Sequence, residues 1–189
     1  MNELDPITAA LAAHHELVQG LQDLRPEIER FAAKVSDAIA RGGRVLWIGN
    51  GGSAADCQHL AAELVGRFER ERSGLPAIAL TTDTAVLTSV ANDYGFESIF
   101  ARQVEALGRP GDVLIGLSTS GKSPNVLRAM ARAGELGLYR VGLTGADGGE
   151  LRHCCELWLG VPSCRPAHIQ AAHMLVGDIL CDLIERRAA

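Results

Sequence analysis

Five short apolar runs, separated by helix-type patterns, constrain this chain more than any other feature. They are "RVLWIG" (44–49), "AIAL" (77–80), "DVLIGLS" (112–118), "YRVGLTG" (139–145) and "CELWLGV" (155–161). They are continuously apolar instead of alternating, as expected for strands covered on both faces of a parallel sheet. Helical patterns occupy 53–67, 84–91, 97–107 and 123–136, and a last one runs from Pro166 to Arg187. Strands alternating with helices predict an α/β fold, a doubly wound parallel sheet flanked by helices. Ligands in such folds bind at the carboxyl ends of the strands, beside helix N-termini.

Upstream, apolar residues recur at three and four from Pro6 to Ala40: Leu11, Val18, Leu21, Leu24, Ile28, Phe31, Val35 and Ile39. This predicts a long amphipathic helix, broken near Pro26 and stopped by Gly42-Gly43. It has more apolar positions than one face of a small sheet needs, so packing against other subunits is expected. The 189 residues suit one domain, with an N-terminal helical region (1–42) and an α/β core (43–189). A net charge of −5 without any Lys/Arg run argues against a nucleic-acid partner. The N-terminus lacks the basic start and apolar stretch of a signal peptide, and no segment approaches the roughly 20 uninterrupted apolar residues of a membrane span. Five cysteines without a Cys-x-x-Cys pair suit reduced thiols, so a cytoplasmic protein is expected.

Two of the strand ends are lined with small polar residues. Asn50-Gly51-Gly52-Ser53 follows the first strand, and "STSGKSPN" (118–125) follows the third. Glycine lets the backbone approach a ligand, and the free N–H groups of a helix's first turn attract anions. Ser53, Ser118, Thr119, Ser120 and Ser123 add hydroxyls, which together make a cradle for a phosphate monoester. The same residues read more plainly as a helix cap at Ser123-Pro124 and a tight turn at Gly51-Gly52. The spacing fits neither a nucleoside-triphosphate P-loop nor a dinucleotide fingerprint.

The helix after the first strand carries His59 and Glu63 one turn apart on one face, with Asp56 a turn earlier. Such a pair can hold Zn²⁺, although it also arises on solvated faces. On the last helix, Gln170 and Asp178 lie eight apart and share an azimuth, with His173 between them. Asp178, Asp182, His168 and His173 can be read as solvated groups. Against that, Asp178 falls among Met174, Leu175, Val176, Ile179 and Leu180, where a carboxylate needs a partner.

With "GNGGSAADCQHLAAELVGRF", "LSTSGKSPNVL", "LTGADGGEL" and the final "IQAAH" in place, the sequence resembles the sugar-isomerase (SIS) domain family, and within it the phosphoheptose isomerases. The resemblance implies a flavodoxin-like three-layer sandwich, a homotetramer with active sites between subunits, and conversion of a ketose phosphate to an aldose phosphate. It implies that Ser53, Ser118, Thr119, Ser120 and Ser123 hold the phosphate, and that Asn50, Gly51, Gly52, Asn92 and Asp93 meet the sugar. It also implies one zinc ion on His59, Glu63, Gln170 and the position of Asp178, with Glu63 as base. The family's isomerases carry histidine where this chain has Asp178, and glutamate where it has Ala171. A relative lacking that histidine, the DnaA initiator-associating protein, is a binding scaffold for the replication initiator. A non-catalytic, sugar-phosphate-binding scaffold or regulator similar to it is therefore the second reading.

Overall fold

The computed structural model describes residues 5–188. In chain order the elements are α1 (Pro6–Gly20), a 3₁₀ turn (Leu21–Leu24), α2 (Arg25–Ala40), β1 (Val45–Gly49), α3 (Gly52–Val65), β2 (Ala77–Ala79) and α4 (Thr84–Tyr94). A 3₁₀ turn (Phe96–Ser98) leads to α5 (Ile99–Leu107), then β3 (Val113–Leu117), α6 (Pro124–Glu135), β4 (Tyr139–Thr144), a 3₁₀ turn (Leu151–His153), β5 (Leu157–Gly160) and α7 (Pro166–Ala188). The strands and helices follow the predicted order. The boundaries shift by a few residues, most clearly at α4, which runs on to Tyr94.

The predicted N-terminal helix is two helices. Asp5 caps the first, accepting from the N–H groups of Ile7 and Thr8. The break falls at Leu21–Leu24, just ahead of Pro26, which sits in the first turn of α2. Proline has no N–H to give a preceding turn, and its ring obstructs the carbonyl four residues back, so a new helix starts there.

All strand pairs are parallel, in the order β2-β1-β3-β4-β5. The chain winds outward from β1 to β2, then crosses β1 to begin β3. The topological switch point therefore lies between the carboxyl ends of β1 and β3, where doubly wound folds bind ligands. Both serine-lined turns leave from these two ends.

Every residue of β1 and β3 is buried, which explains their unbroken apolar sequence. Val45 and Trp47 point into a core shared with Phe31 of α2, Leu60 of α3 and Val176 of α7. Leu46 and Ile48 point the other way, toward Phe100 and Val104 of α5 and Met130 of α6. Burying each such side chain contributes roughly 1.5–3 kcal/mol. The helix α7, 23 residues long, is apolar enough by length and composition to cross a membrane. Here Val176, Leu180 and Ile184 are buried in the core. Against α3 it packs so closely that a Cβ on Gly177 would lie 2.5 Å from Leu60. By contrast, Ile7 and Leu11 of α1 are 73% and 67% exposed.

Candidate active site at the switch point

The first turn is set by Gly51, the N-cap of α3, whose φ of +56° a side chain would strain. Next to it Gly52 faces α7: a Cβ there would lie 2.8 Å from the Gln170 carboxamide. Ser53 follows, buried in the first turn of α3. Across the switch point, Ser118 is buried at the end of β3, and Ser123 caps α6 with Pro124 in its first turn. The hydroxyls of Ser118 and Ser123 lie 2.9 Å apart and share a hydrogen bond. Ser120 accepts from the Lys122 N–H at 3.2 Å. Ser123 makes no side-chain capping bond, so its hydroxyl is not committed to the helix. A cavity of about 240 Å³ opens beside Thr119, Ser120, Lys122, Asp147, Ser163 and Cys164.

The two turns are joined by a residue that the sequence reading passed over. Asn125, 1% exposed, exchanges two hydrogen bonds with Asn50, at 2.9 and 2.8 Å. The Asn125 oxygen also accepts from the Val126 N–H at 3.0 Å, so Asn125 retains one N–H, whereas Asn50 retains one N–H and one lone pair. The signal was a polar residue at the start of a helix whose neighbours are apolar. Recognising it required knowing that β1 and β3 are adjacent. A third segment supports the turn from behind, with Gly145 donating to the Thr119 carbonyl at 3.2 Å and Leu151 to that of Gly121 at 2.9 Å.

Further along α3, His59 stands between two carboxylates. Its Nε2 is 3.8 Å from Glu63 Oε1 and 3.6 Å from Asp178 Oδ1, which reaches over from α7. These separations exceed hydrogen-bonding length. Asp178 Oδ1 and Asp56 Oδ2 are both buried without a hydrogen-bond partner. Burial raises the Asp56 carboxyl above its usual range, and His59 opposes that. The Cys181 thiol below is pushed up to about 12, by burial and then by the nearby Asp178 and Glu63. The group is a concentration of negative charge around one imidazole. Asp178 faces His59, but the partner its setting called for is not made: its buried Oδ1 has no hydrogen bond.

Other predicted residues fall elsewhere. Gln170 makes no hydrogen bond to His59 or Asp178 and rests against Gly52 instead. Asn92 and Asp93 sit exposed on the last turn of α4 and hydrogen-bond to each other at 2.8 Å, not to the serine turns. His168 and His173 are not solvated: both are buried, at 8% and 0% exposure. His173 Nε2 lies 3.1 Å from the Thr144 carbonyl, which fixes that nitrogen as the donor and ties α7 to β4. Burial brings its pKa down to about 4, against a smaller opposing effect of that bond.

The donors in the His59 group are one imidazole nitrogen and carboxylate oxygens, a set that Zn²⁺ accepts. Two orphaned carboxylate oxygens are also what a cation would satisfy. Among the described residues, no three His, Cys, Asp or Glu side chains stand close enough to close on a metal as placed, so binding requires side-chain rotation.

Comparison with known proteins gives a consistent result. The SIS domain family matches residues 11–145. A phosphoheptose isomerase from Geobacter sulfurreducens is 51% identical over 185 residues, 97% of this chain and 98% of the relative. A solved phosphoheptose isomerase from Francisella tularensis superposes with a TM-score of 0.93 at 40% identity, covering 98% of this chain and all of that one. One from Neisseria gonorrhoeae gives 0.91 at 41% identity, covering 95% of this chain and 97% of the other.

Proposed function

The chain belongs to the SIS-domain family, among its phosphoheptose isomerases, and from that premise we propose that it interconverts sedoheptulose 7-phosphate and D-glycero-D-manno-heptose 7-phosphate. One geometric observation carries this reading: a single helix, α3, bears the anion cradle at Ser53 and the acid/base group at His59 and Glu63. Ten residues separate Ser53 from Glu63, about 15 Å of helix rise. That span suits a phosphate ester whose reacting carbons lie several bonds from the phosphate. Full-length identity near one half to named isomerases favours catalysis over the scaffold reading.

In the proposed reaction the hydroxyls of Ser53, Ser118, Thr119, Ser120 and Ser123, with the N-termini of α3 and α6, hold the phosphate. Asn50, Gly51, Gly52 and Gln170 bound the sugar. The Glu63 carboxylate takes the C1 proton beside the C2 carbonyl of the ketose, and the C–H electrons form the C1–C2 double bond of a cis-enediolate. Asp178 moves a proton from the C1 oxygen to the C2 oxygen. Glu63 then returns its proton to C2, leaving an aldehyde at C1 with no net gain or loss of atoms. His59, Glu63 and Asp178 would hold the zinc, and rotation of the Gln170 carboxamide off Gly52 would complete the set. Zinc would supply stabilisation of the charge that develops on the substrate oxygens.

We also assign a homotetramer, supported by the apolar groove between α1, α2 and α7. It holds about 270 Å³ among Val18, Leu21, Ile28, Leu175, Ile179 and Leu183. A stable monomer in light scattering at micromolar concentration would contradict that assignment. A cytoplasmic setting fits the five cysteines, all free. The test of the whole reading is a coupled assay with sedoheptulose 7-phosphate, run beside metal analysis. Turnover with stoichiometric zinc is expected. Specific binding to the replication initiator without turnover would move the assignment to the scaffold.

A further inference from the structure

The segment between α3 and β2 contains a buried charge. The Arg72 side chain is 3% exposed and faces Glu185 of α7, whose side chain is 0% exposed. Arg72 Nε is 3.3 Å from Glu185 Oε1, but its N–H makes no hydrogen bond there, so this contact is ionic. The guanidinium's hydrogen bonds go elsewhere. Nη2 donates to the Glu63 carbonyl at 2.9 Å, and Nη1 to those of Leu64, Gly66 and Ser73 at 2.8, 3.1 and 3.0 Å. The carbonyls of the last turn of a helix have no partners within it, and a cation there also complements the helix dipole.

Glu185 is equally committed. It accepts the N–H groups of Phe68, Glu69 and Arg70 at 3.0, 2.9 and 2.8 Å. Burial alone would raise its carboxyl; those N–H groups and Arg72 outweigh it and hold it below the usual range. The pair therefore fastens the end of the helix that carries His59 and Glu63 to the helix that carries Asp178. The Glu63 carbonyl is itself one of the gripped atoms. Glu185 follows Asp178 by seven residues, two turns along the same face of α7.

Arg72 and Glu185 form, we propose, a positioning brace that sets the Glu63 and Asp178 carboxylates against His59 at the separation isomerisation requires. This rests on the isomerase reading. A buried ion pair is a weak source of stability compared with apolar groups of the same shape, so its use here is geometric. Misplacement of a reacting group by about 1 Å can lower a rate by as much as about 10²-fold. Lysine would keep the charge but presents it at a point, without the planar fork that reaches several carbonyls.

The test is Arg72→Lys in the full, zinc-reconstituted chain. The expected result is a kcat at least about tenfold lower. KM for sedoheptulose 7-phosphate should stay within about twofold, because the phosphate cradle stands on other turns. Zinc affinity, read by competition with a chromophoric chelator, should fall at least about tenfold. Glu185→Gln, which keeps two acceptor lone pairs but loses the charge, should show the same pattern at smaller size, and replaces Arg72→Lys should that variant not fold. A folded variant with kcat and zinc affinity both within about twofold of wild type overturns the brace, whatever its melting temperature. An inactive wild type would overturn the isomerase reading alone. Crystal structures then decide the brace: widening of the 3.8 and 3.6 Å contacts of His59 in the variant supports it, and unchanged contacts overturn it.

Discussion

The two ends of α3 are built differently. At its N-terminus the polar groups already hold one another: Ser118 with Ser123 at 2.9 Å, Asn50 with Asn125 at 2.9 and 2.8 Å. Two turns on, His59 stands 3.6 and 3.8 Å from its carboxylates, too far for hydrogen bonds, and Asp178 and Asp56 each keep a buried oxygen without a partner. The first end is held together by its own hydrogen bonds, as a preformed cradle for the proposed phosphate would be. The second is short of positive charge, which the proposed zinc would supply. Under the proposed function, recognition and chemistry would be separable on one helix.

The strongest way to break that separation is Glu63→Gln, which keeps the shape and removes the base. Isomerisation should fall by about 10²–10⁴-fold. Calorimetric affinity for the sugar phosphate should change by no more than about threefold, since Glu63 lies outside the cradle. A parallel loss of binding would show that the two ends are one unit.

A second effect concerns the tie between α7 and the sheet. His173 is buried neutral with its pKa near 4 and regains about 6.5 when unfolded, so the unfolded chain binds the extra proton between those values. Stability is then complete above about pH 6.5, declines as pH falls toward 4, and levels off below. The full contribution is roughly 3 kcal/mol, from about 1.4 kcal/mol per pKa unit. Denaturation of His173→Gln across this range should show a shallower decline. An identical slope would mean that other groups govern acid unfolding.

The smallest effect belongs to single hydroxyls of the cradle. Ser120→Ala or Ser123→Ala should each weaken sugar-phosphate binding by about 1–3 kcal/mol, the range for a hydrogen bond to a charged group. The rate of bound substrate should hardly change. Equal affinity for the phosphorylated sugar and its unphosphorylated parent would remove the cradle from the account.

The same contrast governs what could be read in advance. Strands buried on both faces must be continuously apolar, so β1 and β3 were visible as the runs "VLWIG" and "VLIGL". The strands β2, β4 and β5 were visible as apolar runs although each is partly exposed. The serine turns were visible because two glycine- and hydroxyl-rich segments follow apolar strands and open helices, although each alone also reads as a cap or a tight turn. The break in the N-terminal helix was legible because Pro26 cannot sit inside a helix. The 3₁₀ turn at Leu21–Leu24 that makes it was not, since the apolar spacing continues through that turn. Asn125, Arg72 and Glu185 were not legible, because each takes its meaning from a partner far away in sequence: 75 residues for the Asn50–Asn125 pair and 117 for Glu185 with Phe68. Helix periodicity puts Gln170 and Asp178 on one azimuth. It does not say that Gly52 opens a space which Gln170 fills instead.

Removing the metal tests the division of labour most directly. Sedoheptulose 7-phosphate would be titrated into chelator-treated protein and into the same protein reconstituted with zinc, with turnover followed in both. The account expects dissociation constants within about threefold of each other, because the cradle of Ser118, Ser120 and Ser123 needs no cation. It expects turnover only in the reconstituted sample. Substrate binding that disappears with the metal, or isomerisation that survives without it, would contradict the claim that one end of α3 binds and the other reacts.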